Sequence, residues 1–301
     1  PAGAQENFEL TPANCPLCSQ QQAERWQSIL DHGLGIAALD ADRVERAVHF
    51  RQRAAGSHER GRHVQFERVA IEIRDLVDKL AGKEIGKVNF VLRDSKDRLW
   101  ITVSTRIKDW PTAVRPDIAD GFVALYDKGS LRIVADDICF TNECRLDAKE
   151  EWLYVVETCG YRVTRFRVGP DGSLSDRQAH GPKDHDALID GIAFDSYGNL
   201  WGTHVMKDRI FAITPEGELR IILDDHDPGP SGRLMDAFRK GQATFELMQA
   251  AQGKLAGWYA SVTFGGPDLK SVYVGSLLGK RLPSFRSPVA GLPMVHWGDK
   301  H

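Results

Sequence analysis

Four stretches of the chain resemble one another, and that repetition limits the possible folds more than any other feature. They read "NFVLRDSKDRLWITVST", "NECRLDAKEEWLYVVET", "DGIAFDSYGNLWGTHVM" and "ASVTFGGPDLKSVYVGS", starting at Asn89, Asn142, Asp190 and Ala260. Each holds a short strand, a polar turn and a second strand opening with Leu-Trp, Leu-Tyr or Val-Tyr. Between them lie "FVALYDKGSLRIVA", "RVTRFRVGPDGSLS" and "RIFAITPEGELRIIL", each with a glycine-containing turn between alternating segments, which marks a hairpin. A repeat of about 50 residues that carries four strands is the signature of a β-propeller blade. Residues 83–301 are therefore expected to form an all-β, propeller-type domain with four readable blades.

The interval before the last repeat is the longest. It contains "SGRLMDAFRKGQATFELMQAAQGK", read as a helical insertion over about residues 228–256. Two roles stay open for it, a neighbour of the propeller mouth or a surface excursion. Residues 1–82 follow a different grammar and are expected to be an atypical, partly helical segment. Phe66, Val69, Ile73, Leu76, Val77 and Leu80 recur at helical spacing, and Gly82 stands as the stop. Cys15 and Cys18 have the spacing of half a zinc site, but no second pair follows, so incidental thiols are the preferred reading. The chain opens on Pro1 rather than Met, which suggests that upstream residues were removed.

Lys and Arg number 39 against 42 Asp and Glu, a balance of −3 that points to no nucleic-acid partner and no acidic membrane surface. No apolar run approaches a membrane span and no signal-peptide core is visible, while five scattered cysteines suit a reducing compartment. The cytoplasm is the expected location.

An acid at the threshold of an apolar strand needs a reason, because a lone buried carboxylate is costly. Asp190 opens the strand "DGIAF". Asn89, Asn142 and Asp190 each precede an aspartate (Asp94, Asp147, Asp195) by five residues, so they hold equivalent repeat positions. The innermost strands of a propeller surround one central channel, and equivalent positions lie at similar heights around it. Oxygen ligands without Cys or His suit a hard divalent cation. The competing reading makes the same residues caps of strands or turns. His204 sits on the second strand of its blade, where it could face the channel or pack structurally. His185 is read as part of a solvated loop, with the channel rim as the alternative, Glu157 and Thr158 as strand terminators, and Trp100 and Trp201 as packing residues.

These segments resemble the gluconolactonase, regucalcin and luciferin-regenerating-enzyme family over roughly residues 86–297. The resemblance rests on "IDGIAFDSYGNLW", "FTNECRLDAKEEWLYVVET", "SVTFGGPDLKSVYV" and "PSFRSPVAGLPM". It implies a six-bladed propeller, one divalent metal in the channel and hydrolysis of a small, typically sugar-type lactone. It also implies Asn89, Asn142 and Asp190 as metal ligands, with Asp190 doubling as the proton acceptor. Ca²⁺ is the leading metal, with Zn²⁺, Mg²⁺ and Mn²⁺ open. Three departures stand out. The family's Glu-Gly-Pro segment, with its ligand Glu, has no match here. Phe90 replaces an Asp common in the family, and Glu143 replaces a Gly and is placed with His204 as a candidate substrate contact. The alternative function is a non-catalytic propeller that binds a cation or small ligand.

Overall fold

The structure, a computed structural model, describes residues 85–279 and 281–298. The expectations for residues 1–82, including the helical stripe and the Cys15–Cys18 pair, lie outside these residues.

Each repeat becomes the first hairpin of a sheet, and the sheets follow one another as antiparallel meanders. The first comprises β1 (Val88–Arg93), β2 (Leu99–Val103), β3 (Gly121–Asp127) and β4 (Ser130–Ile138). The second comprises β5 (Thr141–Leu146), β6 (Trp152–Glu157), β7 (Arg162–Val168) and β8 (Leu174–His180). The third holds β9 (Leu188–Phe194), β10 (Leu200–Val205), β11 (Arg209–Ile213) and β12 (Leu219–Asp224). The last described sheet has three strands, β13 (Tyr259–Gly265), β14 (Ser271–Ser276) and β15 (Ser284–Arg286). The inner strands β1, β5, β9 and β13 neighbour one another in turn, the arrangement of a β-propeller with four blades among the described residues.

Apolar side chains clamp the blades face to face. Trp100 and Leu125 of the first blade pack with Cys144, Leu153 and Val155 of the second. Tyr154 and Val163 meet Ile189, Ile192 and Phe211 of the third. Trp201 and Ala193 meet Val262, Phe264 and Val272 of the fourth. A sheet with both faces covered explains why β9 and β10 are buried at every residue, whereas the outer strand β12 has no fully buried residue.

The turns after β1, β5 and β9 each have a chemical clasp. Asp195 Oδ1 accepts from the backbone N–H groups of Tyr197 and Asn199, both at 2.9 Å, and Oδ2 accepts from Trp201 Nε1 at 2.9 Å. Asp94 repeats this pattern with Lys96, Arg98 and Trp100, also at 2.9 Å, and adds the Arg98 guanidinium at 2.7 Å. Asp147 accepts from Glu151 and Trp152 N–H at 2.8 and 3.3 Å. The aspartates five residues into the repeats are thus the turn formers.

The insertion forms two helices, α1 (Pro228–Arg239) and α2 (Phe245–Ala250). Asp227 caps α1 by accepting from Gly229 N–H at 3.0 Å, just ahead of Pro228 in the first turn. Leu234, Met235 and Phe238 are the apolar residues that α1 buries.

Candidate active site

Backbone register first sets the site apart. A β-bulge interrupts the inner hairpin of all four blades at the equivalent place. It falls between Val88 and Phe90, between Thr141 and Cys144, opposite Gly202–His204, and between Tyr259 and Ser261. Asn89, Asn142, Asp190 and Ala260 therefore sit at bulges, which re-aim side chains and recur beside functional sites. Gly191 follows from the same crowding. A Cβ there would lie 2.6 Å from Ser261 Cα and 2.7 Å from the Ala260 carbonyl.

Hydrogen bonding fixes the amides. The Thr141 carbonyl can only accept, so Ser104 donates its hydroxyl proton to it at 2.9 Å. Ser104 Oγ then accepts from Asn89 Nδ2 at 3.0 Å, and Asn89 Oδ1 is left buried without a partner. The next blade repeats the relay. Thr158 donates to the Ile189 carbonyl at 2.7 Å and accepts from Asn142 Nδ2 at 3.0 Å, leaving Asn142 Oδ1 buried and unpartnered. Asp190 Oδ1 is also buried without a partner. Each relay ends on the carbonyl just before the next blade's candidate residue.

Three orphaned acceptor oxygens on neighbouring inner strands form a donor set that fits a hard cation, since such groups are rarely left unmatched. Among the described residues no three His, Cys, Asp or Glu side chains form a metal cluster, and this set contains two amides.

The electrostatics carry the same demand for positive charge. Burial pushes the Asp190 carboxyl well above the usual carboxylate range, and the nearby Glu143 charge raises it further, against a smaller lowering by the Asn142 amide. Burial likewise raises Glu143, which is partly offset by Arg145.

Glu143 and His204, expected near substrate, both have partners within the fold. Glu143 Oε2 pairs with Arg145 at 2.8 Å and accepts from Ile192 N–H at 3.1 Å, bracing the second blade against the third. His204 stacks on Phe211, centroids 4.5 Å apart, and its Nε2 lies 3.1 Å from His185 Nδ1. Both imidazoles are buried, and burial depresses both, His185 to about 4. Glu157 is more than a strand terminator. It binds Arg162 at 2.9 Å, Arg177 at 3.2 Å and the Thr164 hydroxyl. Burial alone would raise its carboxyl, but these partners hold it below the ordinary range.

Sequence reasoning did not single out Ser104, and it read Thr158 only as a strand end. The recoverable signal was positional. Each hydroxyl lies fifteen or sixteen residues after its Asn, at the far end of the paired strand.

The propeller arrangement of four sheets among the described residues defines the class of fold. A sequence model described as "SMP-30/Gluconolactonase/LRE-like region" matches residues 41–224, and the chain belongs to that family. The match begins inside the segment expected to be atypical. A 6-deoxy-6-sulfogluconolactonase from Pseudomonas putida is 23% identical over 147 residues, covering 48% of this chain and 40% of that protein. A solved luciferin-regenerating enzyme superposes with a TM-score of 0.51 at 18% identity, covering 69% of this chain and 64% of that one. A gluconolactonase assigned by its family superposes at 0.50 and 16% identity, covering 71% and 63%. The chain thus spans less than two thirds of the length of each of these relatives. No helix among the described residues is long and apolar enough to cross a membrane.

Proposed function

We propose that this protein hydrolyses a small lactone with the help of one divalent cation held by Asn89, Asn142 and Asp190. The observation that carries this reading is the set of three buried, unpartnered oxygens at bulged positions of adjacent inner strands. Family membership and the lactonase relatives support lactone hydrolysis as the reaction class.

A bound cation would polarise the lactone carbonyl and acidify a water, as divalent ions do in hydrolytic sites. The protein's own work is positional. Ser104 and Thr158 hold the two amides with their oxygens free, so little side-chain reorganisation is needed on binding. Asp190 accepts the proton of the attacking water as general base, a role worth about 10²–10⁴ in rate. Positive charge nearby would favour the ionised form of that carboxyl, against the burial and the Glu143 charge that raise it. Ca²⁺ is the favoured ion because its flexible coordination accepts carbonyl oxygens readily, with Mg²⁺, Mn²⁺ and Zn²⁺ as tested alternatives.

The test is lactone hydrolysis followed by acid release, after stripping metals and restoring them singly. Turnover is expected to vanish on stripping, to return with one cation, and to be lost in Asp190→Ala. Near-normal, chelator-resistant turnover in that variant would contradict the reading. The commitment of Glu143 to Arg145 leaves Asp190 the single carboxylate of the set, which favours a second reading, a binding propeller without catalysis. Saturable ligand binding with no acid release would select it.

A further inference from the structure

A cavity lies at the other end of the inner strands. Three residues beyond Asn89, Asn142, Asp190 and Ala260, about 10 Å along an extended strand, stand Leu92, Arg145, Ala193 and Thr263. These four, with Phe194 and Phe264, line a cavity of about 120 Å³ at the turn end of the four blades. The chain after β15 completes it through Leu292, Met294 and Trp297. That segment is pinned, since Leu292 N–H donates to the Phe194 carbonyl at 2.8 Å and Gly291 bridges to Asp195. Val295 and Trp297 also line the cavity and are 38% and 39% exposed, which puts solvent at its edge.

The wall is mostly apolar, so its few polar groups decide what fits. Glu150 already accepts from the Ser95 N–H at 2.8 Å and hydroxyl at 2.6 Å, and Asp147 accepts from Glu151 and Trp152 N–H. Arg93 pairs with Asp97 at 2.9 Å. Arg145 differs. It is buried, with its guanidinium 4.5 Å from the Phe90 ring centroid. Nη2 pairs with Glu143 and Nη1 donates to the Cys144 carbonyl, both at 2.8 Å. Its Nε–H is buried with no acceptor among the described residues, although buried donors are rarely left unmatched.

We propose that this cavity is a second binding site, for an uncharged, ring-sized apolar molecule that carries one acceptor oxygen. A cavity of about 150 Å³ lined by apolar side chains holds one benzene. The space here, with solvent at its edge, therefore suits one ring and a short substituent. Phe194, Phe264 and Leu92 gain by covering the ring, and the Arg145 Nε–H supplies one donor for the oxygen. A carboxylate fits poorly. Both arginines already face a carboxylate, and Asp147 and Glu150 stand in the same wall, so a ligand anion would be desolvated beside like charges. The site stands apart from the lactone chemistry proposed above.

The test is ligand-observed NMR titration of the full chain with three probes of nearly one shape: acetophenone, ethylbenzene and benzoate. Acetophenone is expected to bind saturably and roughly fivefold more tightly than ethylbenzene, the worth of one net hydrogen bond. Benzoate is expected to bind more weakly than acetophenone. Ala148→Trp, from an exposed position, and Thr263→Phe both fill the cavity and are expected to abolish saturable binding. Arg145→Lys keeps a positive charge beside Glu143 but lacks the Nε–H, and is expected to bring acetophenone down to the affinity of ethylbenzene. No saturable acetophenone binding, equal affinity for ethylbenzene, or benzoate binding as tightly would overturn the proposal. So would binding undiminished in a folded cavity-filling variant, or a preference unchanged in folded Arg145→Lys. The wild-type comparison of the three probes decides even where a variant fails to fold.

Discussion

Asp190 concentrates the physical tension of the molecule in one side chain. A carboxyl buried beside the Glu143 charge is driven toward its protonated form, whereas cation binding requires the ionised form. Cation affinity is therefore expected to fall as pH is lowered, because protons compete for the same oxygens. Calorimetric titration of Ca²⁺ between pH 8 and pH 5 checks this, and an affinity independent of pH would count against Asp190 as a ligand. Replacing Asp190 by Asn keeps the shape and removes the charge. Turnover is expected to drop by about 10²-fold or more, while the metal-free protein melts at the same temperature or higher, since a buried charge near Glu143 is relieved. A large loss of melting temperature without loss of turnover would reverse the assignment and make the residue structural. The paired amides carry a subtler expectation: Thr158→Val removes the hydroxyl that orients Asn142 and is expected to weaken cation binding by roughly tenfold, in the range seen when groups behind a metal ligand are removed.

The first hairpin of each blade is the element in which sequence and structure meet most directly. Alternating strands around a polar turn were legible, and so were the four blades and the helical insertion, because these depend on short-range periodicity and turn chemistry. The aspartate clasp explains that legibility. Asp195 gathers two backbone N–H groups and the Trp201 indole within a single turn. Asp195→Ala strands those donors, and a loss of about 2–4 kcal/mol is expected in denaturant unfolding. A change below about 0.5 kcal/mol, typical of an unremarkable surface site, would contradict the clasp. The bulges were not legible, since a bulge is a property of register between two strands rather than of either strand alone. Nor were the relays through Ser104 and Thr158, whose partners lie thirty-seven and thirty-one residues away, respectively, on the next blade. Glu143 was only partly legible for a related reason. Its placement follows from Arg145 two positions on and from Ile192 on the next blade, which proximity to Asn142 alone does not reveal.

Across the whole molecule, blades held face to face by apolar clusters leave their buried histidines neutral. Burial lowers His180 to about 4, with a further contribution from Arg165, whereas the free side chain titrates near 6.5. Between those values the unfolded chain holds the extra proton, so the His180 contribution is complete above about pH 6.5 and is lost as pH falls toward 4. It changes by about 1.4 kcal/mol per pH unit inside that window. The stability difference between wild type and His180→Phe is expected to shift against wild type on going from pH 7 to pH 5, measured by urea unfolding, and a constant difference would refute the assignment. The propeller itself brings residues from three repeats, separated by about fifty positions each, onto neighbouring strands around one axis. The most direct test of the account is anomalous diffraction from crystals soaked in Mn²⁺ or Ca²⁺. One peak is expected, about 2.1–2.6 Å from the side-chain oxygens of Asn89, Asn142 and Asp190 together. A fully soaked crystal with no peak there, or with its peak on other residues, would contradict it.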